Sequence, residues 1–262
     1  MTKGSEALDD HRSTSTVIPA STAITLLCVP YAGAGASIFH SWRGLAPAGL
    51  TVVGLQLPGR ENLLRLPPPV TMREAIDEML PAAAAQFDTG NPVALFGHSL
   101  GALLSFELAR RLEATGCQLT RLFVSGAAPP TSPPDLAIGG LCDDGLVARV
   151  RDVTGYEHPA LAEPELRELL LPALRADLTL QAAYRAEPGA VVTVPITAIR
   201  GSRDDFVSLS LLAGWSAMTT GAFDMLEVDG AHMYFVSEPS ALLVTLARRL
   251  WPAPQSIGGR PS

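Results

Sequence analysis

A serine flanked by glycines follows a short apolar segment of the chain. Gly97-His98-Ser99-Leu100-Gly101 comes directly after residues 93–96, and a stretch with helical spacing begins at Leu100. In a tight turn from a buried strand into a helix, glycine on either side of the serine lets the hydroxyl protrude at the top of a sheet. The string alone occurs by chance in many chains, but this context predicts a nucleophile elbow with Ser99 as the nucleophile.

A serine hydroxyl is a weak nucleophile at neutral pH, so it requires a base and an orienting carboxylate. Asp204 follows the apolar segment 196–201, and His232 follows the apolar segment 223–228. The carboxyl ends of parallel strands meet at one edge of a sheet, where Ser99 would also lie. The order Ser, Asp, His is the one that the α/β-hydrolase arrangement requires, so we predict a catalytic triad of these three residues.

Other residues could also serve as the acid or the base of the triad. Asp205 adjoins Asp204 and Asp229 lies near His232, but Asp204 stands nearest to the end of its strand. His232 is the histidine that follows this acidic residue in the chain, as the predicted order requires. The side chain of His98, inside the elbow, should point away from Ser99. The remaining histidines are His11, His40 and His158.

An acyl-transfer site also needs two backbone donors for the oxyanion. One is predicted to be the N–H of Leu100, at the start of the helix after the elbow. The other is predicted to be the N–H of Ala32, in the small-residue loop 30–37 after the first apolar segment. This loop could also be read as a phosphate cradle. However, Ile38 stands where a dinucleotide fingerprint requires glycine, and no Gly-Lys-Ser/Thr ending follows.

Apolar segments alternate with helical ones along the chain. The predicted strands cover residues 24–30, 51–55, 93–97, 122–126, 196–201 and 223–228. The predicted helices between them cover residues 72–87, 100–115, 208–219 and 240–250. Strands too apolar for a solvated face, alternating with helices, predict an α/β protein with a mostly parallel, doubly wound sheet.

One interval, residues 128–193, interrupts the alternation. It has a proline-rich beginning and helical stretches near 143–152 and 163–184, without a convincing strand. We predict a helical lid inserted into an α/β-hydrolase domain that covers residues 21–252, although ordinary crossover helices would give the same pattern. Residues 1–20 and 253–262 are predicted to be flexible tails.

Composition excludes several classes of protein. The net charge of −7 disfavours nucleic acid and anionic membrane surfaces as general partners. No apolar stretch approaches the roughly 18 residues of a membrane span. The polar first twenty residues lack the apolar centre of a secretory signal. Three cysteines without C-x-x-C spacing predict neither a disulfide framework nor a metal site, and favour a reducing, cytoplasmic location.

Several motifs, in order, make the region 26–251 similar to the type II thioesterases of polyketide and nonribosomal peptide biosynthesis. The motifs are Pro30-Tyr31-Ala32-Gly33, which resembles P-H-A-G; Gln56-Leu57-Pro58-Gly59-Arg60-Glu61, which resembles Q-x-P-G-R; Gly97-His98-Ser99-Leu100-Gly101-Ala102, which resembles G-H-S-M-G-A; and Leu174-Arg175-Ala176-Asp177, which resembles L-R-A-D. Tyr31 and Leu100 depart from the family pattern, which usually has histidine and methionine at these positions. Neither departure changes a predicted catalytic side chain.

The resemblance implies a stand-alone editing enzyme that removes stalled or wrong acyl groups from the phosphopantetheine arm of acyl or peptidyl carrier proteins. A thioester has a good leaving group, so the predicted triad and oxyanion donors suffice without metal or organic cofactor. Three alternatives remain open from the sequence: a general carboxylester hydrolase, a product-releasing acyl-transfer thioesterase, and a non-catalytic binding module on the same fold.

Overall fold

A parallel sheet forms the centre of the molecule. The computed structural model describes residues 23–132, 136–156 and 158–251. In these residues six strands pair in the order β2-β1-β3-β4-β5-β6, with every pair parallel. The strands are β1 (Ile24–Val29), β2 (Leu50–Gly54), β3 (Val93–His98), β4 (Leu119–Ser125), β5 (Ile196–Gly201) and β6 (Phe223–Val228). The predicted α/β, doubly wound architecture is confirmed.

Helices cover both faces of the sheet. They are α1 (His40–Leu45), α2 (Met72–Ala84), α3 (Leu100–Ala114), α4 (Asp143–Thr154), α5 (Pro164–Ala183), α6 (Leu209–Ala213), α7 (Tyr234–Ser237) and α8 (Pro239–Leu250). Successive side chains of a strand point to opposite faces. In β1, Leu27 packs into a core with α2 and α3, while Leu26 packs into a second core with α1 and α8.

Most predicted elements are present, with ends shifted by up to three residues, but one helix prediction is wrong. The helix predicted over 72–87 ends at Ala84, because the Gln86 amide bonds back three residues and tightens the last turn. The helix predicted over 208–219 is the short α6 followed by a 3₁₀ segment, Gly214–Met218. In this segment the Trp215 indole N–H donates to the Ala127 carbonyl at 2.8 Å, which holds the chain against the end of β4.

The chain between β4 and β5 contributes no strand to the sheet in its described residues. It contains α4, a 3₁₀ turn at Pro159–Ala162, and α5. We call α4 and α5 the insertion helices. They enclose a small apolar core that includes Leu146, Leu161 and Leu178, and Ala32 and Phe206 pack against it. Because Ala32 follows β1 and Phe206 follows β5, the insertion helices lie over the carboxyl edge of the sheet. The predicted tails, 1–20 and 253–262, lie outside the described residues.

The described residues were compared with what membrane spans, metal sites and disulfide bonds require. Across the described residues, no helix is long and apolar enough to cross a bilayer. The same residues contain no cluster of three histidine, cysteine or acidic side chains that could hold a metal ion. Cys28 is buried in β1, Cys117 is half-buried and Cys142 is exposed, and all three are free thiols.

Candidate active site

The turn at Ser99 joins β3 to α3 in a conformation that side chains rarely adopt. Ser99 has φ 53° and ψ −119°, in the region that favours glycine. A Cβ on Gly97 would stand 2.0 Å from the Gly101 carbonyl oxygen, and one on Gly101 would stand 2.3 Å from the Val29 carbonyl oxygen. Both glycines are therefore required by close backbone contact, as the elbow prediction assumes.

His232 and Asp204 meet at the same edge of the sheet. His232 Nδ1 lies 2.9 Å from Asp204 Oδ2, and both residues are buried. The other carboxylate oxygen, Asp204 Oδ1, accepts the backbone N–H groups of Phe206 at 2.9 Å and Val207 at 3.1 Å. Burial alone would raise the pKa of Asp204. The hydrogen bond and charge of His232, together with the two amides, outweigh burial and lower this pKa.

The two rival carboxylates lie elsewhere. Asp205 is exposed. Asp229 is also exposed and forms an ion pair with Arg203 on the outer side of the loop. Of these three acids, Asp204 is the one that contacts His232, and it is the residue predicted from the strand end.

The contact with Asp204 uses only one of the two ring nitrogens of His232. With Nδ1 bonded to Asp204, the buried Nε2 has no hydrogen-bond partner among the described residues. Ser99 and His232 both line the same cavity. A neutral imidazole whose Nδ1–H donates to a carboxylate carries its free lone pair on Nε2, so this atom is the one able to take a proton from Ser99.

A second imidazole, His98, lies directly behind His232. Their ring centroids are 4.8 Å apart. His98 Nδ1 is 2.8 Å from Ser125 Oγ, which in turn is 2.5 Å from the Tyr234 hydroxyl. Burial, and secondarily the neighbouring His232, lower the pKa of His98 well below its ordinary value, so this ring is neutral. The sequence placed His98 in the elbow but gave no sign of this polar chain, because its members come from three different elements.

The two predicted oxyanion donors belong to the turn after β1 and to the first residue of α3. Ala32 is in a turn that is closed by the Ala34 N–H donating to the Tyr31 carbonyl at 3.1 Å, with Gly33 at φ +78°. Turns of this kind require a positive φ at the third residue, so glycine is the residue that fits. Leu100 is the first residue of α3, where backbone N–H groups have no partner within the helix. Ala32 borders the cavity together with Ser99.

An apolar cavity of about 390 Å³ extends from Ser99 beneath the insertion helices. Its wall includes Leu136, Val147, Val150, Leu170, Leu174 and Phe206. Tyr31, one of the two departures from the family pattern, also lines it and packs edge-to-face against Phe235 with centroids 6.0 Å apart. This volume is within the range of small-molecule binding sites, and the apolar wall suits a hydrocarbon chain.

A buried ion pair at the edge of this cavity was missed by sequence reasoning. Arg60 and Asp177 each belong to a motif quoted above, yet no role was predicted for either side chain. Their guanidinium and carboxylate form two hydrogen bonds, of 2.6 and 2.8 Å, across 117 positions of the chain. Spacing along the sequence cannot reveal such a contact. However, the presence of an arginine and an aspartate in two separate motifs of one family could have indicated that the two side chains form an ion pair.

The fold and site place the chain in a class and then in a family. A parallel sheet with a glycine-flanked serine after β3, and helices inserted after β4, define the α/β-hydrolase fold. A family model described as thioesterase domain matches residues 24–250, so the chain belongs to the thioesterase family. The chain is 34% identical over 214 residues to Thioesterase PikA5 of Streptomyces venezuelae, covering 81% of this chain and 76% of that protein. It is 32% identical over 231 residues to Gramicidin S biosynthesis protein GrsT of Aneurinibacillus migulanus, covering 87% and 89%.

Solved structures agree with this assignment. The type II thioesterase BorB from the borrelidin biosynthetic cluster superposes with a TM-score of 0.77 at 33% identity, covering 88% of this chain and 94% of that one. The RedJ thioesterase from the prodiginine pathway of Streptomyces coelicolor superposes with a TM-score of 0.76 at 33% identity, covering 87% and 91%. The resemblance to type II thioesterases predicted from the sequence is therefore confirmed.

Proposed function

We propose that this protein hydrolyses acyl thioesters on the phosphopantetheine arm of acyl or peptidyl carrier proteins. In this role it removes stalled or aberrant acyl groups from a polyketide or nonribosomal peptide synthase. The observation that carries the proposal is the meeting of Ser99 and His232 at one apolar cavity, with His232 bonded to Asp204 at 2.9 Å. Membership of the thioesterase family and the biosynthetic relatives support it.

The reaction proceeds through an acyl-serine. His232 Nε2 removes the proton as Ser99 Oγ attacks the thioester carbonyl carbon, and the N–H groups of Ala32 and Leu100 stabilise the resulting oxyanion. The carbon–sulfur bond then breaks, and the imidazolium returns its proton to the departing thiolate. Water repeats the sequence in the second half-reaction, with His232 as base, and releases the carboxylic acid and Ser99. Asp204 holds the imidazole throughout, and no cofactor takes part.

The insertion helices supply the lid of this site. They cover the carboxyl edge of the sheet and provide apolar wall residues such as Val147, Val150 and Leu174. An acyl chain in this cavity displaces water from apolar surface, which favours binding by about 25 cal/mol per Å². The enclosed position also protects the acyl-serine from stray nucleophiles until water is admitted.

The test compares turnover of acyl-loaded carrier protein and acyl-pantetheine with turnover of a simple aryl ester of the same acyl chain. We expect the thioesters to be preferred and the free acid to be the detected product. Ser99→Ala should abolish turnover of all three, while Ser240→Ala, an exposed serine on α8, should leave it unchanged. A large preference for the aryl ester would favour the general carboxylester hydrolase, and transfer of the acyl group to another nucleophile would favour the product-releasing thioesterase.

A further inference from the structure

The ion pair between Arg60 and Asp177 is completely enclosed. The side chains are 2% and 1% exposed, and the guanidinium faces both carboxylate oxygens, with Nη1 2.6 Å from Oδ2 and Nη2 2.8 Å from Oδ1. Arg60 lies in the loop after β2, and Asp177 lies in α5, so the pair joins the hydrolase sheet to the insertion helices. Desolvating two charges is costly, and apolar residues of similar volume are often equally stable in such places. Stability alone therefore does not account for the pair.

Arg60 Nε donates to the Pro58 carbonyl at 3.2 Å, and two further hydrogen bonds of the pair go to the loop that contains Ala32. Asp177 Oδ2 accepts the N–H of Gly33 at 2.7 Å, and Arg60 Nη1 donates to the carbonyl of Ala34 at 3.1 Å. These two backbone groups belong to the turn whose second residue is Ala32. The ion pair thus fixes the peptide units that follow Ala32, and with them the direction of the turn.

Neighbours of Arg60 hold the far end of the same loop. Gln56 Oε1 accepts the N–H of Ala36 at 2.8 Å, and Glu61 Oε1 accepts the N–H of Ser37 at 3.1 Å. The segment from Gln56 to Glu61 therefore contacts the loop at three successive points, at Ala34, Ala36 and Ser37. The ion pair is the point that connects this segment to α5.

Helix α5 also contacts the loop and the cavity directly. A Cβ placed on Gly33 would stand 3.0 Å from Leu174 Cδ1, one turn before Asp177. Leu174 and Leu178 both line the cavity. The helix that would contact an acyl chain is therefore the helix whose carboxylate orients the turn of Ala32.

We propose that Arg60 and Asp177 are positioning residues that aim the Ala32 amide at the developing oxyanion, and that they link this amide to the acyl-binding helix α5. The proposal rests on the proposed function, because it assigns Ala32 as an oxyanion donor. The guanidinium is suited to the task because its planar fork binds a carboxylate through two parallel hydrogen bonds and still reaches a carbonyl.

The test is the double variant Arg60→Met/Asp177→Leu, which replaces the pair with apolar side chains of similar size. We expect kcat for an acyl-pantetheine thioester to fall by about 10²- to 10³-fold, the loss typical of removing one oxyanion donor, while KM changes little. Arg175→Met is the matched control. It removes an ion pair of 2.6 Å to Asp143 that also joins α5 to the rest of the insertion, but lies at the surface, and kcat should stay at the wild-type level.

A binding measurement separates positioning from general damage. An alkyl boronic acid forms a tetrahedral adduct with a serine hydroxyl, whereas the carboxylic acid of the same chain only fills the cavity. The double variant should lose affinity for the boronic acid and keep its affinity for the carboxylic acid. If the double variant does not fold, Arg60→Lys carries the same test, because lysine keeps the charge but not the fork, and the same split is expected.

Wild-type kcat in a folded double variant, or equal loss of affinity for the two ligands, would overturn the positioning role. Failure of the proposed function gives a different result. In that case the wild-type protein itself would not hydrolyse the thioester through Ser99, and the comparison between variants would not arise.

Discussion

Two imidazole rings, His98 and His232, lie with their centroids 4.8 Å apart, and their hydrogen-bond partners differ. His98 is neutral because burial and the neighbouring His232 lower its pKa. His232 has the Asp204 carboxylate on Nδ1, and in the proposed reaction this carboxylate stabilises the positive charge that forms when Nε2 accepts the serine proton. The two rings differ in the group that contacts them: His232 contacts a carboxylate, whereas His98 contacts the Ser125 hydroxyl.

Asp204→Asn should lower kcat by about 10⁴-fold, because an amide no longer holds the imidazole in the tautomer that leaves Nε2 free. Asp205→Asn is the matched control, since this adjacent carboxylate is exposed, and it should be nearly silent. Steady-state hydrolysis of an acyl-pantetheine thioester measures both. A large loss in Asp205→Asn with little loss in Asp204→Asn would assign the orienting acid to Asp205 instead.

His98 should make the folded state sensitive to acid. Its pKa is lowered in the folded protein, so below the ordinary value of 6.5 the unfolded chain binds a proton that the native chain does not. Stability therefore falls as pH falls through this window, by up to about 1.4 kcal/mol per pH unit for one proton. In urea unfolding between about pH 7 and 5, His98→Asn should show a shallower fall than the wild type.

The control for this measurement is His40→Asn, which removes an exposed histidine on α1. It should show the wild-type slope, whatever its effect on absolute stability. An unchanged slope in His98→Asn would mean that folding does not lower the pKa of His98, which contradicts the neutral ring inferred from its burial.

The predicted site residues share one property that sequence can express. Ser99, Asp204 and His232 each follow an apolar strand, and the carboxyl ends of parallel strands meet at one edge of a sheet. Arg60, Asp177 and the partners of His98 were not predicted to contact anything. Their contacts depend on how loops and the insertion helices fold back over the sheet, which no local pattern specifies.

At the element scale, the insertion helices provide much of the wall of the cavity that Ser99 lines. Helix α4 provides Val147 and Val150, and α5 provides Leu170, Leu174 and Leu178. These residues face a cavity of about 390 Å³. Side chains in the cavity wall are closely packed, so replacing one of them with a larger residue reduces the volume of the cavity. The size of single residues on α4 should therefore set the longest acyl chain that the site accepts.

Val150→Trp should shift chain-length preference toward shorter acyl groups. Val150 is half-buried and lines the cavity, so a larger side chain can occupy part of the volume that a long acyl chain needs. We expect kcat/KM for a long acyl-pantetheine to fall by about 10-fold or more relative to a short one, because a few methylene groups of the long chain no longer fit in the cavity. A series of straight-chain thioesters measures the shift.

Val244→Trp is the matched control for this change, since Val244 is exposed on α8 and does not line the cavity. Its chain-length profile should match that of the wild type. The same relative loss on short and long substrates in Val150→Trp would indicate general damage to the site instead of a change in cavity length.

Strands were predictable as short continuous apolar runs and long helices by their helical spacing, and β5 and β6 have the predicted bounds. The segment 208–219 was predicted as one helix, but it is divided between α6 and a 3₁₀ segment. The Trp215 hydrogen bond and the close approach of Pro129 to Gly214 are tertiary contacts, and they override helical propensity there.

At the scale of the whole molecule, the sheet carries apolar cores on both faces while its carboxyl edge holds the reactive groups. The cores bury Leu27 and Val29 on one face, and Leu26 and Cys28 on the other. This rigid support allows a strained turn at Ser99 to persist, since strained residues remain only where the surrounding structure fixes them. The turn at Ser99 is thus maintained at some cost to overall stability.

Ser99→Gly should therefore make the protein more stable and inactive. Glycine adopts φ 53° and ψ −119° without the strain of about 1–3 kcal/mol that a side chain carries in such regions, although it loses more backbone entropy on folding. The net expectation is a gain of about 1 kcal/mol in the free energy of unfolding, or about 2–4 °C in Tm for a domain of this size. Ser99→Ala keeps the Cβ and should match wild-type stability while being equally inactive. Urea unfolding of the three proteins measures the difference, and a Ser99→Gly variant less stable than Ser99→Ala would mean that the elbow holds no backbone strain to release.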